Sequence, residues 1–267
     1  MNVRSAAVAN LFYPGDVGEL SALISTLLES ASSERVEKRS IPKAIIVPHA
    51  GYIYSGLTAA FAYQMIKGAA IDRVVLFGPA HRVGFDGMAV PEADYYATPL
   101  GNIPVDREAV ARALKCPEVQ QSDYPHAQEH ALEVQLPFLQ SLLGDFELLP
   151  VCIGMTQPAS VAKVMQQFLH EPGTLTVISS DLSHFHAYDE ARILDMKSVT
   201  AILELQGCLS HDQACGATGI NALMSVAAQY GLKPQLLDYR NSGDTAGDKQ
   251  SVVGYISIGF FADGGVH

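Results

Sequence analysis

Ala44-Ile45-Ile46-Val47-Pro48-His49-Ala50-Gly51 is an unbroken run of apolar β-formers that stops on proline and glycine, with a histidine held between them. The pattern returns at Arg73-Val74-Val75-Leu76-Phe77-Gly78-Pro79-Ala80-His81. Glu147–Cys152, Leu175–Ser179, Gln235–Tyr239 and Val252–Phe260 are further strand-like runs. Several are continuous Val/Ile/Leu stretches rather than alternating ones, as strands covered on both faces must be. Helical patterns lie between them at Val17–Ala31, Leu57–Ile66, Arg107–Leu114, Glu129–Leu143, Ser160–Leu169, Tyr188–Leu205 and Thr218–Tyr230. This alternation predicts an α/β fold with a largely parallel or mixed sheet between helical layers. Leu132, Leu136, Leu139 and Leu143 form one apolar stripe, and Pro137 within it predicts a kink or a later helix start. The aperiodic segment Gly84–Val105 is expected to form a loop or hairpin over a site.

Composition narrows the function. Among 267 residues, 17 Lys+Arg stand against 28 Asp+Glu, a net charge of −11, which excludes a basic nucleic-acid surface. Hydrophobic residues at 48% can fill a large core, and no linker or repeat divides the chain, so a single domain spanning 1–267 is expected. No apolar run approaches the ~20 residues that span a bilayer, so no membrane role is expected. Four cysteines without a CxxC pair fit a reducing cytoplasm.

Ligands of open α/β sheets bind beyond the carboxyl ends of the strands. There the chain places Pro48-His49, Ala80-His81, Ser180-Asp181-Leu182-Ser183-His184 and Asn241-Ser242-Gly243-Asp244. Two imidazoles and one carboxylate on a face match the triad that binds non-haem Fe(II) and leaves positions open; the same residues suit Zn²⁺ with a bound water. His184 would serve as acid/base, with Asp181 orienting it or a ligand. Glu129 and His130, with His126 four residues before, stand where a helix begins and either contribute to the site or face solvent. Tyr52 and Tyr54 follow His49 closely enough to wall a pocket. Cys215, ahead of a helix, is either a thiol of lowered pKa or a small residue at a tight turn. No Walker A loop, GxGxxG or GxSxG is present.

Read together, Val47-Pro48-His49-Ala50-Gly51-Tyr52-Ile53-Tyr54-Ser55-Gly56, Gly78-Pro79-Ala80-His81, Glu129-His130-Ala131-Leu132-Glu133 and Ser179-Ser180-Asp181-Leu182-Ser183-His184 resemble the MEMO family. Phe12-Tyr13-Pro14 and Ser251-Val252-Val253-Gly254-Tyr255 extend the likeness across nearly the whole chain. Its bacterial and archaeal members are often called AmmeMemoRadiSam system protein B. The resemblance implies a three-layer α/β/α fold shared with class III extradiol dioxygenases, which hold Fe(II) with two histidines and a glutamate. Carried over, His49 and His81 are the metal histidines and His184 the acid/base, with Asp181 beside it. Animal members, associated with iron or copper, place a pocket cysteine that falls on Thr245 when counted without gaps; Asp244 beside it is then the expected third ligand. Tyr54, Glu129 and His130 are expected to contact substrate.

The resulting expectation is a non-haem iron oxidoreductase of dioxygenase type acting on a small substrate, Fe(II) being favoured over copper or zinc. Two rivals stand beside it: an adaptor that captures a peptide in the same cleft, and a zinc hydrolase. Partners from a radical-SAM system fit the family's usual name.

Overall fold

The continuous apolar runs become the middle of a sheet. A computed structural model describes residues 2–33 and 40–262. The chain opens with β1 (Val3–Arg4), α1 (Val17–Ser33), β2 (Ala44–Val47), α2 (Tyr52–Gln64) and β3 (Arg73–Pro79). Then come β4 (Met88–Val90), β5 (Tyr95–Thr98), β6 (Gly101–Pro104), α3 (Arg107–Ala113) and β7 (Val119–Gln121). The middle holds α4 (His130–Glu133), α5 (Leu136–Leu142), β8 (Glu147–Ile153), α6 (Pro158–Met165), β9 (Thr174–Ser179) and β10 (His184–His186). The chain closes with α7 (Tyr188–Leu203), α8 (Ala217–Tyr230), β11 (Lys233–Asn241), a 3-10 turn (Ser242–Asp244) and β12 (Val252–Phe261).

The large sheet runs β10-β12-β2-β9-β3-β8-β4-β7, with β11 also paired to β12. Its centre, β2-β9-β3-β8, is parallel, while β12 and β4 join antiparallel, so the sheet is mixed. Val47 pairs with Ser179, Phe77 with Ile178 and Pro79 with Ile153. The carboxyl ends of the central strands therefore share one edge, and His49, His81 and Asp181 follow directly beyond it.

Helices cover both faces. Successive strand residues point to opposite sides, and Phe77 shares a side with its partner Ile178, over which Gly219 of α8 packs. Gly78 points the other way, toward Leu132 and Ala131 of α4. A Cβ on Gly78 would come within 2.9 Å of the Leu132 side chain, so this glycine permits the close approach of α4 to β3. The central strands are buried along their length, with Ile45, Ile46, Val75, Leu76, Leu149 and Val177 all at 0% exposure.

The expected helix Glu129–Leu143 is two helices. Residues 134–135 break it, and Pro137 sits in the first turn of α5, where its missing N–H is not needed. The Gly84–Val105 segment holds β4 and the β5–β6 hairpin; with β1 parallel to β5 the hairpin makes a separate three-stranded sheet. Among the described residues, no helix is long and apolar enough to cross a membrane.

Candidate metal centre

Three imidazoles meet past the carboxyl edge of the sheet. His49 follows β2, His81 follows β3, and His130 is the first residue of α4. One ligand atom from each lies within 4.8 Å of the others, the spacing needed to share one metal ion. Ring centroids are 5.1 Å apart for His49–His81, 5.3 Å for His49–His130 and 4.6 Å for His81–His130. His49 is 2% exposed, and Phe12 packs 4.7 Å from His130.

Hydrogen-bond counting gives the ring tautomers. The Ser179 hydroxyl spends its only proton on the Ala131 carbonyl (2.6 Å), so its oxygen must accept from His49 Nδ1 at 2.9 Å. The Glu129 carboxylate likewise accepts from His81 Nδ1 at 2.9 Å. Both rings therefore present an Nε2 lone pair, the form that binds metal. His130 Nδ1 is buried with no aligned hydrogen bond, although Glu129 Oε1 is 3.2 Å away. Burial, then the charge of His81, pushes His49 down to about 3. Burial, then His49, pushes His130 down to about 4. At neutral pH His49 and His130 are therefore uncharged, one His130 nitrogen is orphaned, and the three-imidazole donor set fits a divalent transition metal.

Glu129 holds the geometry. It caps α4 through the Ala131 N–H (2.9 Å) and accepts from His81 N (2.6 Å) and Nδ1. Burial alone would raise its pKa, but the His81 hydrogen bond and charge pull it down to about 2. Arg4 braces the same turn, donating to the His126 carbonyl (3.0 Å), the Glu129 carbonyl (2.8 Å) and the Glu133 carboxylate. Glu133 also accepts from Tyr13 (2.6 Å) and from the N–H groups of Ala7 and Val8.

Asp181 is 4% exposed, and its Oδ1 accepts from His49 N at 2.8 Å. Burial raises its carboxyl, against the His49 hydrogen bond. His184 is half-buried and lines neither of the cavities described below. Two cavities flank the cluster. One of about 660 Å³ is lined by Phe12, Tyr54, His130, Asp181, Asp248 and Tyr255 among others. The second, about 830 Å³, reaches His81 and Cys215 and includes only Gly84 and Phe85 from the Gly84–Val105 segment.

Several site expectations change. Asp244 does not join the cluster: it is exposed, and its oxygens accept from Tyr188 (2.5 Å) and from Asn241 N (2.9 Å) in a capping box. His130, expected at substrate, both lines the first cavity and stands with His49 and His81 in the cluster, while the Glu129 carboxylate accepts from His81. The pocket thiol comes from Cys215, not from the Thr245 segment: its Sγ lies 3.2 Å from His49 Nε2. Burial, then Asp181, pushes that thiol up to about 12, opposite to the lowered value its place before a helix suggested. Gly216 makes this approach possible, since a Cβ there would meet Ser180 Cβ at 2.7 Å. His126 is locked away from the cluster by Tyr96 (2.7 Å) and the Ala89 carbonyl (3.0 Å).

Known proteins share this plan. The crystal structure of an uncharacterized protein from Escherichia coli K12 superimposes with a TM-score of 0.51 at 14% identity, covering 81% of this chain and 99% of that one; the likeness is one of fold. A MEMO1 family protein of Aquifex aeolicus is 38% identical over 97% of this chain and 100% of its own length. One from Ignicoccus hospitalis is 37% identical over 97% and 99%. The family model described as Memo-like protein matches residues 4–259, a span that takes in His49, His81, Glu129, His130 and Asp181 alike. By full-length similarity as well as by these motifs, the chain belongs to the Memo-like family.

Proposed function

We propose that this protein is a metal-dependent oxidoreductase of non-haem type, holding Fe(II) at His49, His81 and His130 and acting on a small substrate in the cavity lined by Tyr54 and Asp181. The observation that carries the reading is the cluster of three imidazoles with ligand atoms within 4.8 Å, two of them with Nδ1 engaged by Ser179 and Glu129. Imidazole donors suit iron, copper and zinc, and the extradiol-like resemblance ranks Fe(II) first. When bound, the metal supplies a Lewis-acid and redox centre with room for further ligands. Cys215 Sγ, beside His49 Nε2, is the residue that would favour a softer ion.

The chain's own groups supply the rest. Asp181 fixes the His49 backbone through Oδ1, and its Oδ2, on the cavity side, takes or returns a proton. His184, on the strand that follows Asp181, is the second group we assign to proton movement there. Phe12 and Tyr54 line the cavity as aromatic walls against which an apolar part of the substrate would pack.

Metal content by mass spectrometry, on protein purified without oxygen or chelator, tests the proposal beside the His49→Ala/His81→Ala double variant. Near-stoichiometric iron in the parent and none in the variant supports it, with oxygen uptake on substrate screening to follow. Zinc in the same pattern replaces oxidation by hydrolysis. No metal in either, even after anaerobic Fe(II) addition, overturns the enzyme reading in favour of a peptide-capturing cleft.

A further inference from the structure

The cavity beside His130 has a one-sided chemistry. Its walls carry two carboxylates, Asp181 and Asp248, and three aromatic rings, Phe12, Tyr54 and Tyr255. No lysine or arginine among the described residues lines it. Asp181 is a buried side chain whose Oδ1 is taken by His49 N, while Oδ2 has no hydrogen-bond partner among the described residues. That oxygen is not among the buried atoms sealed off without a partner, so on a residue that lines the cavity it is open to a ligand's donor. At the exposed end, Asp248 uses Oδ1 on the N–H groups of Gln250 (2.8 Å) and Ser251 (3.3 Å), leaving Oδ2 free among the described residues. Aromatic faces attract cations and carboxylates pair with them, whereas an anion at the Asp248 end would meet a like charge with no lysine or arginine among the described lining residues to offset it. The chain's net charge of −11 acts in the same direction on approach.

We infer that this cavity binds an organic cation: a ligand with a hydroxyl or amide donor for Asp181, a flat or apolar body between Phe12, Tyr54 and Tyr255, and an ammonium group at Asp248. The inference takes the substrate cavity of the proposed function as its site and adds the charge class of what enters. Placing the ammonium at the Asp248 end keeps it away from the imidazole cluster, where a metal would repel it. Phosphorylated or carboxylate-bearing ligands are selected against at the same end.

The test is a matched pair of probes, tyramine and 4-hydroxyphenylacetate, which share a phenol and differ in the sign of the charge at the other end. Calorimetric titration at low salt on the full chain, purified anaerobically, should show tyramine binding about tenfold or more tighter than the acid. Asp248→Asn should bring the two within about threefold, with the fold intact because Asp248 is exposed at the cavity rim. Equal or tighter binding of the acid, no binding of either probe at millimolar concentration, or an unchanged preference in Asp248→Asn overturns the inference. Metal content of the same samples separates the two readings. Metal bound without a preference for the amine removes this inference alone; the preference without metal removes the proposed oxidoreductase alone.

Discussion

Replacing Glu129 by glutamine tests whether the imidazole cluster is held for a metal. The Glu129 carboxylate accepts three hydrogen bonds, from His81 N at 2.6 Å, His81 Nδ1 at 2.9 Å and Ala131 N at 2.9 Å. Glutamine offers one acceptor oxygen, and its amide must face at least one of these donors. With the oxygen in the Oε1 position, the amide meets the His81 N–H; in the other orientation it meets two donors. A buried donor left without a partner costs about 1–3 kcal/mol, so stability should fall by about 2 kcal/mol, or roughly 4–6 °C in Tm for a chain of this size. The larger effect is on the metal. The Glu129 carboxylate orients His81 and raises its basicity, and exchanging it for a neutral amide, even one that still accepts from Nδ1, should lower metal affinity by about 10- to 100-fold. Competition with a chromophoric chelator reads the affinity, and thermal melts read the fold. A variant that loses the expected stability yet binds metal as tightly as the parent would refute the orienting role, because only the structural effect would then be real.

Other perturbations separate neighbouring groups. Asp244→Ala, outside the cluster and exposed, should leave metal content and affinity unchanged within error; a tenfold loss would restore Asp244 as a ligand. Arg4→Met removes the brace on the Glu129 turn and leaves Glu133 as a buried charge, so denaturant titration should show a loss of about 3–5 kcal/mol, and a change under 1 kcal/mol would contradict it. Acid should weaken the protein through its buried imidazoles. Burial, opposed in part by the Ala89 hydrogen bond, holds His126 down at about 4, below its unfolded value, so the unfolded chain takes up the proton first as pH falls. Its contribution is complete above about pH 6.5 and drains away toward 4, amounting to about 2 kcal/mol between pH 7.5 and 5. His126→Gln should shrink the pH 7.5-to-5 stability loss by about that amount relative to the parent, since all carboxylates are common to both; an equal loss in the two proteins contradicts the assignment.

The middle of the fold was readable because its physics is local. β2, β3 and β8 are buried on both faces, so their residues form apolar runs that end on Pro or Gly, and buried β9 ends beside them on Ser179-Ser180 at the same edge. His49 and His81 were legible for the same reason, each standing just past such a run. His130 was not, because the leucine stripe was projected on one continuous helix. His130 is the first residue of α4, directly after the Glu129 cap, and that N-terminal position sets its ring beside His49 and His81. Cys215 had no local signal toward metal; what brings it to His49 is the tertiary contact of Gly216 with Ser180. For Asp244, Ser242-Gly243-Asp244 already carried the composition of a turn, and the capping box is that turn using up its carboxylate.

Anomalous diffraction from crystals of the metal-loaded protein tests the central claim most directly. The account predicts one strong peak at about 2.0–2.3 Å from His49 Nε2, His81 Nε2 and a ring nitrogen of His130, with Glu129 still on His81 Nδ1. A peak coordinated by Asp244, or none at the three histidines under saturating metal, would contradict it.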